Sequence, residues 1–187
     1  MRLFTGIAIS PDALRRVAEI LTVLRPSAKL KWAPLSNLHI TSAFIGAWPE
    51  ERLAELQSAL SKVEVKAPIP ITIIGFGFFP NPHQPHSFFL AVRREPSLED
   101  LAGKIGAALE SLGRPREERA YTPHITLARI ARENITELRQ TIASMNTQFP
   151  LETFAAEEFH LYESRNPGTG SVYSKLATFA LRKEAAE

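Results

Sequence analysis

Two short strings in this chain read almost alike, His39-Ile40-Thr41 and His124-Ile125-Thr126. Histidine is the side chain whose ordinary pKa, about 6.5, lets it give or take a proton near neutrality. Threonine two residues on adds a hydroxyl that can donate to an anionic oxygen. Two copies therefore make an acid–base pair with two hydroxyl clamps. With 5 His and 12 Thr among 187 residues, a shuffled chain holds about 0.3 His-x-Thr strings, so two in matched surroundings are unlike chance. Both share Ile at the middle position, and both sit in strand-like sequence, 38–46 and 123–129. In a strand, alternate side chains share a face. His39 and Thr41 then face one way while Leu38, Ile40 and Phe44 face the other, and His124 and Thr126 are opposed to Ile125 and Leu127 in the same manner.

The elements that must position these strings are legible in outline. Ser10-Pro11-Asp12 offers an N-cap and a first-turn proline, followed by an apolar stripe of Leu14, Val17, Ala18 and Leu21. A second helix is expected after Pro49 on Leu53, Leu56, Leu60 and Val63. A third is expected to be capped by Ser97 and stopped by Gly113, and a fourth to run from about Asn134 through Ile142. Strands are expected over 3–9, 38–45, 69–79, 87–92, 124–130, 157–163 and 172–181, rich in Ile, Val, Phe and Thr. Within the third of these, the run from Gly75 to Pro82 is expected to break strand order as a bend. Helices and strands alternate without a strict βαβα rhythm, so the fold class is α+β. The motifs lie 85 residues apart and each has a helix after it, which predicts one domain, 1–187, of two similar lobes with a boundary near 80–85.

Composition narrows the function classes. The 44% hydrophobic and 22% charged content is that of a globular chain. No apolar run reaches the 18 or so residues of a membrane helix, and the apolar start, broken by Thr5 and Gly6, reads as a first strand rather than a secretory signal. The absence of Cys excludes disulfides, thiolate metal sites and a Cys nucleophile, and is compatible with a cytoplasmic protein. A net charge of +2 is a mild bias towards anionic partners, and Arg114-Pro115-Arg116 is read as a solvated surface cluster.

Displacement at phosphorus needs proton carriers at both ends of an in-line path: one takes a proton from entering water, the other protonates the departing oxygen. No metal is required when the leaving oxygen sits in a strained ring, as in a 2′,3′-cyclic phosphate. The chain also resembles the bacterial RNA 2′,3′-cyclic phosphodiesterases, or 2′-5′ RNA ligases, of the 2H phosphoesterase superfamily. The resemblance rests on Arg2-Leu3-Phe4-x-x-Ile7, Trp32-x-Pro34-x-x-Asn37-Leu38-His39-Ile40-Thr41, Phe44-Ile45-Gly46, Pro123 to Arg129, Leu161 to Ser164, and Gly170-x-x-Tyr173-x-x-Leu176. It implies two pseudo-symmetric lobes whose antiparallel sheets flank a central cleft, with helices on the outer faces. It further implies His39 as general acid on the departing 3′ oxygen, His124 as general base on water, Thr41 and Thr126 on the phosphate, and a 2′-phosphate product. The expected partner is RNA with a cyclic phosphate end, or a cyclic nucleotide, handled by a monomer with no cofactor, no metal and no membrane. The alternatives are 2′-5′ ligation by the reverse chemistry, and an RNA-end binding module that catalyses nothing.

Other residues carry weaker signals. Ser42 stands where the family's pattern has a hydrophobic residue, which bears on packing. Arg129 matches the motif's tail, yet strict alternation aims it away from His124, so it contacts phosphate only if the strand bends. His83 and His86 lie in a proline-rich stretch without a nearby carboxylate or Cys and read as a surface loop. His160 reads as structural, and Tyr173 and Phe44 as aromatics that pack more readily than they stack on a base.

Overall fold

A computed structural model describes residues 1–115, 117–168 and 170–183. Arg116, the last member of the basic cluster above, lies outside the described residues. The elements run β1 (Arg2–Ala8), α1 (Pro11–Leu24), β2 (Lys31–Trp32), β3 (His39–Ala47), α2 (Leu53–Leu60), β4 (Lys66–Ala67), β5 (Ile69–Phe79) and β6 (Ser87–Val92). They continue α3 (Pro96–Ser111), β7 (His124–Arg129), α4 (Thr136–Ser144), β8 (Glu152–Ala156), β9 (Glu158–Arg165), β10 (Val172–Ala180) and β11 (Arg182–Lys183). The fold is α+β.

Nine strands form one sheet in the order β10-β9-β1-β3-β7-β6-β5-β8, with β2 pairing beside β7. Its ladders are antiparallel, and the two motif strands lie at its centre. β3 meets β7 through the partners Ile40 and Ile125. On either side the arrangement repeats: β1 flanks β3 as β6 flanks β7, and β9 flanks β1 as β5 flanks β6. The segment 80–85 links β5 to β6, which are neighbours in the sheet, and β9 and β10 return from the chain's end to lie beside β1.

One face of the sheet is covered by helices. Ala13, Val17, Ile20, Leu21 and Leu24 of α1 share one apolar core with Leu98, Leu101, Ile105 and Leu109 of α3 and with Ile7, Ile40, Leu90 and Ile125 of the central strands. The helices cross over: α1, which follows β1, packs on β8 and α4, whereas α3, which follows β6, packs on β3. Each half of the sheet is thus held by a helix from the other half's stretch of chain. The motif histidines and threonines point to the opposite, uncovered face.

Local details correct three expectations. The cap of α1 is as read, with Ser10 Oγ accepting from Ala13 N at 3.2 Å. Ser97 does not cap α3; Glu95 holds the cap position and Pro96 opens the helix, because proline suits the first turn where its missing N–H is no loss. Gly113 does end α3, with φ +86 and Arg114 N donating to Leu109 O. The glycines of β5 do not break it: the strand continues to Phe79, with a register shift between Ile73 and Gly75 against β6. A Cβ at Gly77 would overlap the Phe89 ring, so glycine there makes room for an aromatic lying across the strand. Finally, β8 lies in a stretch where no strand was expected. Its sequence, Glu152-Thr153-Phe154-Ala155-Ala156, lacks the branched apolar run that marks the others, and it forms because β5 offers it a ladder from Ile69 to Ile73.

Candidate active site

The pairing of Ile40 with Ile125 sets the site. Both side chains are fully buried against the core, so their neighbours His39, Thr41, His124 and Thr126 emerge together on the opposite face. Antiparallel register about this pair sets His39 beside Thr126 and Thr41 beside His124. The two histidines become diagonal cross-strand neighbours, with backbones on the order of 7–8 Å apart. This is the spacing at which two imidazoles can flank one small tetrahedral anion.

Each ring is held in the same way. His39 Nδ1 donates to the carbonyl of Asn37 at 2.7 Å, and His124 Nδ1 donates to the carbonyl of Thr122 at 2.7 Å. A carbonyl only accepts, so Nδ1 carries the proton in both rings and Nε2 is the nitrogen left for exchange. At His39, Nε2 lies 2.9 Å from Thr41 Oγ1, within the motif itself. Asn37 is fixed in turn by its Nδ2 donating to Ser171 O at 2.7 Å, which ties the loop after β9 to the histidine's support.

Aromatic rings wall the imidazoles on their outer sides. His39 packs against Phe4 at 4.7 Å and Tyr173 at 5.3 Å between ring centroids. His124 meets Phe79 at 4.9 Å and Phe89 at 5.3 Å, both edge-on. Tyr173 is therefore a packing partner of His39. Burial pushes the pKa of both imidazoles below the ordinary histidine value, more than the Asn37 and Thr122 carbonyls raise them. Repulsion adds to this, from His124 on His39 and from Arg129 on His124. Those repulsions also show that the three groups share one local field.

Arg129 reaches this face through a bulge. Along β6 and β7, Phe89 pairs with Thr126 but Phe88 pairs with Ala128, so Leu127 is an extra residue. Leu127 and Ala128 both enter the core, and the alternation resumes with Arg129 on the same side as Thr126. The same device occurs in the first motif. Gly6 pairs with Thr41 but Thr5 with Ala43, which leaves Ser42 as the extra residue and brings Phe44 onto the face of Thr41. The repeat is therefore longer than three residues: His-Ile-Thr-x-Ala followed by Phe44 in one copy and Arg129 in the other. Those matching Ala residues were the available signal for the bulges.

Ser42 itself is buried with no hydrogen-bond partner for Oγ. His160, also buried, bonds Thr178 Oγ1 through Nδ1 at 3.0 Å and contacts Tyr162 edge-on, which is a structural role. His83 and His86 are exposed on the loop between β5 and β6. Among the described residues no three His, Cys, Asp or Glu side chains are grouped to hold a metal ion, and no helix is long and apolar enough to cross a membrane.

A single sheet carrying two symmetry-matched His-x-Thr strands on its open face defines a class of protein, the paired-histidine phosphoesterase architecture. A profile described as the 2′-5′ RNA ligase superfamily matches residues 10–168. An RNA 2′,3′-cyclic phosphodiesterase of Archaeoglobus fulgidus is 31% identical over 182 residues, covering 96% of this chain and 99% of its own. One of that name from Thermus thermophilus is 31% identical over 98% of this chain and 92% of its own. A solved structure, also from Thermus thermophilus, has a TM-score of 0.80 at 28% identity, covering 99% of this chain and 100% of that one. Apo LigT of E. coli has a TM-score of 0.78 at 25% identity, covering 96% of each chain. The chain belongs to the 2′-5′ RNA ligase superfamily.

Proposed function

We propose that this protein hydrolyses 2′,3′-cyclic phosphate ends of RNA or nucleotides to 2′-phosphates, without a metal or cofactor, as a single chain holding both motifs. The observation that carries this reading is the pairing of Ile40 with Ile125, which sets two His-x-Thr strings on one face in pseudo-symmetric register. Relatives named RNA 2′,3′-cyclic phosphodiesterase support the substrate.

In this reading His124 Nε2 takes a proton from water as its oxygen attacks phosphorus. The bond from phosphorus to the 3′ oxygen breaks, and His39 Nε2 delivers a proton to that oxygen. Thr41 and Thr126 donate to the non-bridging oxygens, and the Arg129 guanidinium offsets their charge. The fixed Nδ1–H···O=C bonds support these roles, since each ring keeps Nε2 facing the anion in both protonation states. Ligation is the same chemistry run backwards, with a 5′-hydroxyl in the place of water. Water at about 55 M favours hydrolysis as the net reaction. A pure binding module has no use for two oriented proton carriers with depressed pKa values.

The test is incubation with a panel of 2′,3′-cyclic nucleotides in excess chelator, with the product phosphate located on the 2′ or 3′ oxygen. Full turnover to the 2′-phosphate is expected. His39→Ala and His124→Ala should each lose about 10²- to 10⁴-fold in kcat, the range for a general acid or base. Dependence on added metal, a 3′-phosphate product or an active double variant overturns the assignment.

A further inference from the structure

The two imidazoles are held alike, but the carbonyls that hold them are anchored differently. Thr122, whose carbonyl accepts from His124 Nδ1, makes a long side-chain bond, Oγ1 to Ala120 O at 3.5 Å. Its neighbour Tyr121 secures that segment by donating its hydroxyl to Thr41 O at 3.1 Å, a tie to the opposite motif strand. Asn37, whose carbonyl accepts from His39 Nδ1, is anchored at both ends. Its backbone N–H donates to Pro34 O at 2.9 Å, closing a turn, and its Nδ2 donates to Ser171 O at 2.7 Å. Ser171 lies 134 residues further along the chain, at the entry to β10.

The same entry to β10 reaches His39 a second time. Two residues past Ser171, Tyr173 presents its ring edge to the imidazole at 5.3 Å between centroids, and Phe4 lies against both rings. His39 is thus gripped by one hydrogen-bonded and one aromatic contact from this stretch. The Asn37 amide commits its donor to Ser171 and acts on His39 through its own carbonyl. A carbonyl released from that tie lets Nδ1–H follow it, and the turning ring takes Nε2 off the line of the departing oxygen. A misplacement on the order of 1 Å costs about a hundredfold in rate.

We infer that Asn37 is the positioning residue for proton delivery by His39, held in place by the Ser171 carbonyl. This rests on the proposed hydrolysis and adds what aims its acid. In that step the water oxygen bonds to phosphorus and His124 takes the water's proton. The bond from phosphorus to the 3′ oxygen breaks, and His39 gives a proton to that oxygen. Only the last transfer depends on Asn37.

The experiment compares a 2′,3′-cyclic nucleotide with the analogue whose bridging 3′ oxygen is replaced by sulfur. A thiolate, whose thiol has an ordinary pKa of about 8.5, departs without a proton, so the sulfur substrate needs no acid. Asn37→Ala keeps the backbone carbonyl and removes the tie to Ser171. It should lower kcat on the oxygen substrate about ten- to a hundredfold, with KM little changed and the sulfur substrate turned over as by the parent. Asn37→Asp keeps the side chain's shape, sets an acceptor against Ser171 O, and should lose as much; it decides the matter if the alanine variant does not fold. His39→Ala should show the same selectivity more strongly. Full kcat on the oxygen substrate in a folded Asn37 variant, or equal losses on both substrates, overturns this inference alone. A His39→Ala loss that sulfur does not relieve overturns the acid assignment and this inference with it. A parent protein that turns over neither substrate overturns the proposed hydrolysis as a whole.

Discussion

At the scale of single residues, the proposed site is a pair of imidazoles whose proton affinity is lowered while their orientation is fixed. Carbonyl groups two residues upstream hold both Nδ1 atoms, so the depressed pKa is not the result of a missing partner; burial outweighs the bond. The consequence for pH is direct. In the proposed reaction the productive pair has one ring protonated and one neutral, and burial makes both rings of the free protein lose their protons at lower pH than an ordinary histidine. The bell-shaped profile of kcat/KM should therefore be centred below about pH 6.5. The bound phosphate is anionic and favours the imidazolium, so the profile of kcat should lie at higher pH than that of kcat/KM. Parallel profiles, or an order reversed, would contradict the field described here; the two limbs belong to the coupled pair and not to one ring each. Arg129→Ala removes the cation that shares this field, and should lower kcat/KM about ten- to a hundredfold, the worth of a hydrogen bond to a charged group. It should also shift the profile to higher pH, because Arg129 repels a proton on His124.

At the scale of elements, two glycines and two bulges do the positioning. A Cβ at Gly6 would lie 2.8 Å from Ile40 O and 3.2 Å from His39 Cδ2, so Gly6→Ala pushes on both the motif's backbone and its imidazole. It should cost about 1–3 kcal/mol, as overpacking does, and lower kcat more than a surface change of equal stability effect. Chemical denaturation and steady-state rates on the same samples check this. Ser42→Ala tests the bulge from the other side: deleting a buried hydroxyl without a partner should raise stability by about 1 kcal/mol and leave turnover alone. Much of this scale was readable from the chain. The four helices announce themselves by their apolar stripes, and the motif strands by branched residues and alternation, which rightly paired His39 with Thr41 and His124 with Thr126. What could not be read is where alternation stops. A bulge is one unpaired residue, and nothing in Ser42 or Leu127 alone declares it; only the neighbouring strand's register, Gly6 with Thr41 then Thr5 with Ala43, makes it visible. Arg129 and Phe44 were for that reason misdirected by strict alternation. The bend expected inside β5 fails for a related reason: Gly77 is a breaker by composition, yet here its bareness admits Phe89, a partner on another strand.

At the scale of the whole molecule, one hydrophobic core supports the sheet from behind while its front carries the polar chemistry. The crossing of α1 and α3 onto each other's halves of the sheet means that neither half can shift without disturbing the other's helix, which supports the register of β3 with β7. That arrangement has a cost that can be measured. His39, His124 and His160 all have pKa values lowered by burial in the folded state, whereas in the unfolded chain they return to about 6.5. Between these values the unfolded state binds more protons than the folded one, so stability rises with pH there. The contribution is fully present above about pH 6.5 and is lost as pH falls through the lowered values. The urea midpoint should accordingly drop between about pH 7.5 and about pH 5.5, a window in which histidine is the ordinary titrating side chain. Replacing His160, which lies outside the proposed catalytic pair, by Gln should remove part of the drop while leaving the pH–rate profile in place. Replacing His39 and His124 by Gln should remove another part and abolish turnover. If the midpoint stays flat across that interval, the rings are not desolvated as the sheet's front face requires.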